Sequence, residues 1–298
     1  MTPLRDNFAL FATVLSLCLG LAFAVSVNRL HAKAGSEEQA DVLSIGGSVT
    51  EIVVALGQQH RLKARDTTSV YPEDITALPD VGYMRALSSE GILSVAPGLI
   101  LSEEGAGPPE ALDVIRGADI SFVEIPSAVD GDGIAAKIMA VAKALDVPER
   151  GETLAAEVRE SLAAAEKQAK TASDNAHRVM FVLSAQDGRI VAAGQNTEAD
   201  AIIRMAGGIN AVTDVSGYKQ LSDEAIGLAS PDVVLMMDRR GNHAISDEAL
   251  LELPAMRLTP AAKTRSIIRM NGLLLLGFGP RTAEAVTELH RQLYADGS

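Results

Sequence analysis

Tyr83 and Arg85, in the stretch Leu78-Pro79-Asp80-Val81-Gly82-Tyr83-Met84-Arg85, are the residues whose types and spacing point most directly to chemistry. If the chain is extended there, the phenol and the guanidinium project from the same side and Met84 from the other. A guanidinium beside a phenol favours the phenolate, both by charge and by hydrogen bonding. A phenolate is a hard anionic oxygen suited to ferric iron, and tyrosine serves as an axial haem ligand. A loop tyrosine merely stacked on an arginine would read the same way, and Tyr71, beside Pro72, competes for the same role.

Other chemistries lack their residues. The chain contains no phosphate-binding loop, zincin helix, nucleophile elbow or dinucleotide fingerprint. Its five histidines, His31, His60, His177, His243 and His290, never pair at the spacings that place two imidazoles on one metal. One cysteine allows neither an intrachain disulfide nor a thiol pair. No nucleophile, base and oxyanion hole come together, so a binding protein is expected rather than an enzyme.

Composition narrows the class further. The 298 residues carry 26 Lys+Arg against 39 Asp+Glu, a formal charge of −13. That charge opposes a nucleic-acid partner, which needs a basic face. The absence of Trp and an aromatic content of 3% leave no stacking platform for sugars or bases. At the start, Arg5 precedes an apolar run from Phe8 to Val27, and Ala32-Lys33-Ala34 offers small residues for cleavage. Residues 1–34 therefore read as a secretory signal, with an uncleaved anchor as the other reading. Leu17 before Cys18 speaks against a lipoprotein. The mature part, with 23 basic and 38 acidic residues and no cysteine, suits a periplasm.

The elements that must position Tyr83 and Arg85 alternate between strand and helix. Asp41–Ile45 reads as a strand, followed by Gly46-Gly47-Ser48 and a helix to Leu56-Gly57, with Ser48 and Glu51 forming a capping box. Strands are expected at 98–102, 121–125, 178–184 and 189–193, and helices at 109–116, 131–145 and 197–206. This is the order of βα units around mainly parallel sheets. From Pro148 to about Thr171 an Ala/Glu/Lys/Leu-rich stretch predicts one helix roughly 33 Å long. It is either a surface helix of one domain or a rigid spacer. With βα material on both sides, the spacer reading gives an N-terminal lobe at 35–147, a linker at 148–172 and a C-terminal lobe at 173–298. A helical hinge has few soft dihedrals, so closure of the lobes should be small.

An internal echo supports two related lobes. Leu87-Ser88-Ser89-Glu90-Gly91-Ile92 leads to Pro97 and Leu101, and Leu221-Ser222-Asp223-Glu224-Ala225-Ile226 leads to Pro231 and Leu235. Each copy predicts a Ser-capped helix, a proline stop and a buried strand.

With these residues in view, the chain resembles the periplasmic haem-binding proteins that feed bacterial ABC haem importers, within the wider cobalamin and siderophore binding-protein fold. The resemblance runs through Ser44–Ile52, Leu78–Arg85, Leu87–Leu93, Ala193–Thr197 with Ala199-Asp200-Ala201, and Leu274–Thr282. It implies an α/β protein of two Rossmann-like lobes joined by a single long helix, with haem held in the inter-lobe cleft and delivered to a permease–ATPase complex at the inner membrane. It also implies Tyr83 as the ligand of the haem iron, supported by Arg85. Lys219, Arg239, Arg240 and Arg281 would be candidate propionate partners. Met205, Met236, Met237 and Phe278 would either line the porphyrin or pack the core. Glu90 and Glu224, one per lobe, would meet arginines of the permease. Some relatives hold a second haem through a histidine where Ala185 stands here, so one haem per chain, carried by a monomer, is expected. A siderophore or corrinoid is the alternative cargo in the same fold.

Overall fold

The computed structural model describes residues 40–171, 176–238 and 245–294. Residues 1–34, expected from the sequence to be a signal segment, and the candidate ligands Arg239 and Arg240 lie outside the described residues, as do Ser173, Asp174 and Asn175, which the sequence suggests end the long helix.

The first half alternates as its sequence implies: β1 (Val42–Ile45), α1 (Gly47–Ala55), β2 (Leu62–Arg65), α2 (Ser89–Ser94), β3 (Leu99–Glu103), α3 (Pro109–Arg116), β4 (Ser121–Ile125) and α4 (Gly131–Ala144). The four strands form one parallel sheet in the order β2-β1-β3-β4, with Val42 opposite Leu99 and Ile45 opposite Ser102. Then α5 (Pro148–Thr171) runs unbroken for 24 residues.

After it come β5 (Arg178–Gln186), β6 (Arg189–Ala193), α6 (Glu198–Met205), β7 (Ile209–Asn210), β8 (Tyr218–Gln220), α7 (Asp223–Ala229), β9 (Val233–Met237), α8 (Asp247–Leu251), α9 (Pro260–Thr264), β10 (Ile267–Met270), α10 (Gly272–Leu276) and α11 (Thr282–Tyr294). Here the sheet is mixed. Its order is β10-β9-β5-β6-β8, with β10, β9 and β5 parallel and β6 antiparallel to both neighbours.

Helix α5 buries Ala155, Val158, Leu162, Ala165 and Ala169, a stripe of alternating three- and four-residue steps. That stripe packs on α4 of the first half and α11 of the second. Gly151 permits the close approach: a Cβ there would fall 2.4 Å from the Cβ of Ala142. One apolar cluster consequently runs from Val49, Ile52 and Ile138 through α5 to Leu275, Phe278 and Leu289. The α/β architecture of two lobes tied by a long helix is the one observed. Among the described residues no helix is long and apolar enough to cross a membrane.

The echo is structural as well. Ser88 accepts from the Gly91 amide at 2.9 Å and Ser222 from the Ala225 amide at 3.1 Å. Each helix ends at a left-handed residue before the proline, Ala96 in one copy and Ser230 in the other. The strands that follow, β3 and β9, occupy matched spans.

One local expectation fails. Ser48 does not cap α1, because the helix begins at Gly47 with Gly46 as its cap residue. The exposed amides are taken from outside the helix: the buried carboxylate of Asp66 accepts from Gly46 at 3.0 Å, and the Thr68 hydroxyl accepts from Gly47 at 3.0 Å. Ser48 and Glu51 are thereby released for other partners.

Candidate functional site

Tyr83 sits on a loop between β2 and α2 that is pinned at both ends. Before it, Asp80 accepts from Arg65 at 3.0 Å, from the Thr67 hydroxyl at 3.0 Å and from the Gly82 amide at 2.8 Å. After it, the Ala86 amide donates to the Tyr83 carbonyl at 2.7 Å and the Gly107 amide to the Met84 carbonyl at 2.8 Å. The Ala86–Tyr83 bond makes residues 83–86 a turn, so the extended alternation expected of Tyr83 and Arg85 does not hold. Arg85 is exposed and makes no ion pair among the described residues. Its charge acts instead on Tyr218 of the other lobe.

The structure sorts the four tyrosines. Tyr294 donates to the Gly207 carbonyl at 2.8 Å and lies against His177 and His290, at centroid distances of 5.2 and 4.9 Å; burial raises its pKa. Tyr218 donates to Glu198 at 3.1 Å and packs edge-on to Phe181. Burial first, then the charge and hydrogen bond of Glu198, push its phenol well above the ordinary range, with Arg85 pulling weakly the other way. Tyr71 is 46% exposed, with the Arg281 guanidinium over one face of its ring, 3.6 Å from the centroid. Tyr83 is 47% exposed, and its side chain makes neither hydrogen bond nor ring contact among the described residues.

Two polar ties join the lobes. In the first, the Lys137 ammonium, 1% exposed, donates to Glu103 at 2.5 Å, to Ser48 at 3.1 Å and across to the Gly277 carbonyl at 3.4 Å. Ser48 also donates to Glu103 at 2.9 Å. In the second, Arg281 at the start of α11 donates through Nε to Glu51 of α1 at 3.2 Å and through Nη2 to its other oxygen. Burial pushes the Glu51 carboxyl up, and Arg281 opposes that shift. Arg281 is thus already engaged by Glu51 and Tyr71. The sequence reading missed Lys137, Glu103 and Glu51 as a set. One signal was present for Lys137, a lysine within the apolar face formed by Ile134, Ile138 and Val141.

In the second lobe, Lys219 is exposed on β8 next to Tyr218, opposite Ala192 of β6. Met205, Met236 and Phe278 are buried and pack the core, whereas Met237 is half-buried. Ala185 lies in β5, paired with Ile190, and His177 precedes that strand. Glu90 and Glu224 are exposed in the first turns of α2 and α7. No cluster of three metal-ligating side chains occurs among the described residues. A groove of about 830 Å³ between α5, β10 and α11, lined by Gln168, Arg269, Asn271 and Glu284 among others, touches neither Tyr83 nor Arg85.

Comparison with known proteins places this arrangement. Residues 42–272 match the family model described as periplasmic binding protein. The fold is similar to that of the periplasmic haem-binding protein BhuT, solved with two haems: 40% identity, 85% of this chain and 97% of that one covered, TM-score 0.80. The apo haem-binding protein of Roseiflexus sp. RS-1 gives 39% identity, 88% and 99% coverage and a TM-score of 0.82. A periplasmic haem-binding protein of Pseudomonas aeruginosa gives 32%, 87% and 94%, and 0.77. By sequence, a vitamin B12-binding protein of Vibrio cholerae is 25% identical over 83% of this chain and 87% of its own length.

Proposed function

The chain belongs to the periplasmic binding protein family, and we propose that within it this protein captures haem between its lobes and delivers it to an inner-membrane ABC permease. The observation that carries the reading is the exposed side chain of Tyr83, on a loop tied at both ends, with no hydrogen bond or ring contact of its own among the described residues; Tyr218 and Tyr294 are hydrogen-bonded, and Tyr71, equally exposed at 46%, has the Arg281 guanidinium over its ring. A ligand oxygen on a pinned loop needs little reorganisation to meet a metal. The similarity to solved haem-binding proteins at 32–40% identity supports haem as the cargo.

In this reading Tyr83 ligates the haem iron, and Arg85, whose charge reaches Tyr218, meets a propionate or the phenolate. Lys219 offers a second cation, with Arg239 and Arg240 on the same lobe. Arg281, held by Glu51 and Tyr71, shapes the base of the cleft. The lobes are residues 35–147 and 173–298, and segment 1–34 directs export to the periplasm. The chain acts as a monomer, transforms nothing and meets no nucleic acid. Glu90 and Glu224 dock it to the permease.

Titration of the purified mature protein with hemin tests the reading. Ferric haem bound through tyrosine should give a shifted Soret band and high-spin charge-transfer bands, saturating at one equivalent because Ala185 supplies no second ligand. An unchanged spectrum would overturn the haem reading. The vitamin B12-binding relative favours a corrinoid as the second reading, and the same protein titrated with cobalamin decides between them.

A further inference from the structure

The Tyr83 side chain has no partner among the described residues, so whatever aims it acts through the backbone behind it, at Gly82. That residue is held on both of its polar groups. Its amide donates to Oδ1 of Asp80 at 2.8 Å, and its carbonyl accepts from the Thr67 amide at 3.0 Å. Gly82 has a φ of 103°, a conformation that side-chain-bearing residues rarely adopt. A Cβ there would meet no atom within 4 Å, so glycine serves this position through its dihedral and not by making room. An aspartate accepting from the amide two residues on is a local turn that favours such a dihedral. Here the turn is also anchored in the lobe. The same Oδ1 accepts from the Thr67 hydroxyl at 3.0 Å, and Oδ2 accepts from Arg65 at 3.0 Å. Arg65 is 9% exposed and donates further to the carbonyls of Asp66 and Thr76. Asp80 therefore connects a buried cation to the one residue whose backbone decides where Tyr83 points.

We propose that Asp80 is the positioning residue of the iron site: it fixes the turn at Gly82 and thereby the direction in which the Tyr83 phenol leaves the loop. This rests on Tyr83 as the haem ligand and adds the group that aims it. A ligand oxygen held in one direction meets the iron at one distance and tilt. Released from its turn it samples several, and both the affinity and the uniformity of the ferric spectrum fall.

The test titrates hemin into the mature protein and records the charge-transfer bands, the electron paramagnetic resonance of the ferric complex and the melting temperature. Asp80→Ala should weaken hemin binding roughly 10–100-fold and broaden the high-spin resonance. Asp80→Asn keeps an oxygen for Gly82 and Thr67 but loses the charge facing Arg65. It should melt lower, as Asp80→Ala does, yet recover most of the affinity and the sharp resonance. Asp41→Ala removes a second ion pair of the same lobe, with Arg61 at 3.1 Å, before the first residues of β1 and β2; it should lower melting and leave hemin binding unchanged. Gly82→Ala leaves the Asp80 ion pair in place and strains only the turn, so it should reproduce the loss even where Asp80→Ala fails to fold. If Asp80→Ala or Gly82→Ala binds hemin with the wild-type spectrum while Tyr83→Ala abolishes the bands, the ligand stands and the positioning role is wrong. Equal losses in Asp80→Asn and Asp80→Ala would make the ion pair alone responsible and would also overturn the proposal. If Tyr83→Ala leaves the bands intact, the ligand reading itself is wrong and the role of Asp80 falls with it.

Discussion

Gly82-Tyr83 and Gly217-Tyr218 are the same local device in two settings. Each tyrosine follows a glycine of positive φ, 103° at Gly82 and 75° at Gly217. Each precedes a Ser-capped helix, Tyr83 by five residues to Ser88 and Tyr218 by four to Ser222. Beyond that they diverge. Tyr83 opens a turn and projects into solvent, whereas Tyr218 is built into β8 opposite Ala193, packed against Phe181 and bonded to Glu198. An anionic phenolate at Tyr218 would be desolvated and set against a carboxylate. Tyr83 is exposed, and no carboxylate is bonded to its phenol. The side chain is the same in both places, and its surroundings decide which of the two can serve as an iron ligand.

The strongest way to break this comparison is to exchange the fates of the two tyrosines. Tyr83→Ala should abolish the charge-transfer bands and weaken hemin binding by on the order of 10³-fold, since it removes the proposed iron ligand itself. Tyr218→Phe should leave affinity within a few-fold, and the reverse ranking in paired titrations would show that the wrong tyrosine had been chosen.

The comparison also assumes that the lobes stay in register. Lys137→Ala leaves the half-buried Glu103 without its cation, removes the donor to the Gly277 carbonyl and empties a fully buried site, and should cost about 3 kcal/mol in denaturant unfolding. A smaller effect sharpens the role of Arg85. Its loss leaves the iron–oxygen bond in place but removes a cation, so Arg85→Ala should weaken binding by roughly tenfold, more at low pH, where protons compete for the phenol oxygen. The smallest effect is alkaline. Because folding raises the Tyr218 pKa, the stability this residue contributes is present below the ordinary tyrosine pKa near 10 and is lost as pH rises above it, where the unfolded chain ionises first. The melting temperature of Tyr218→Phe should therefore decline less steeply than that of the wild type above about pH 10.

Where a pattern was local, it was readable. Helix 109–116 and strands 121–125 and 189–193 lie where proline, glycine and apolar runs put them. The cap at Ser88 was equally plain, because a serine accepting from an amide three residues ahead needs nothing beyond its own turn. Ser48 has similar neighbours and behaves otherwise. Asp66 and Thr68, some twenty residues away, satisfy the helix start first, and Ser48 turns to Glu103 and Lys137. The Gly-Tyr correspondence went unread for a comparable reason: one extra residue before Ser88 shifts it out of the register that the Leu-Ser-x-Glu repeat keeps.

By itself, then, the amino-acid sequence determined the alternating elements, the long helix, the duplicated acidic helices and the singular chemistry of a Gly-Tyr-x-Arg loop, all of which are set by periodicity and by interactions within a few residues. Only the tertiary structure decided that Tyr218 and Tyr294 are engaged while Tyr83 is left without a side-chain partner, that residues 83–86 turn instead of extending, and that Arg281 ties Glu51 and stacks on Tyr71. Those outcomes depend on desolvation and on hydrogen-bond partners brought from distant parts of the chain, such as Glu51 and Arg281, 230 residues apart. Burial and charge act through space, so they exist only once the lobes have met.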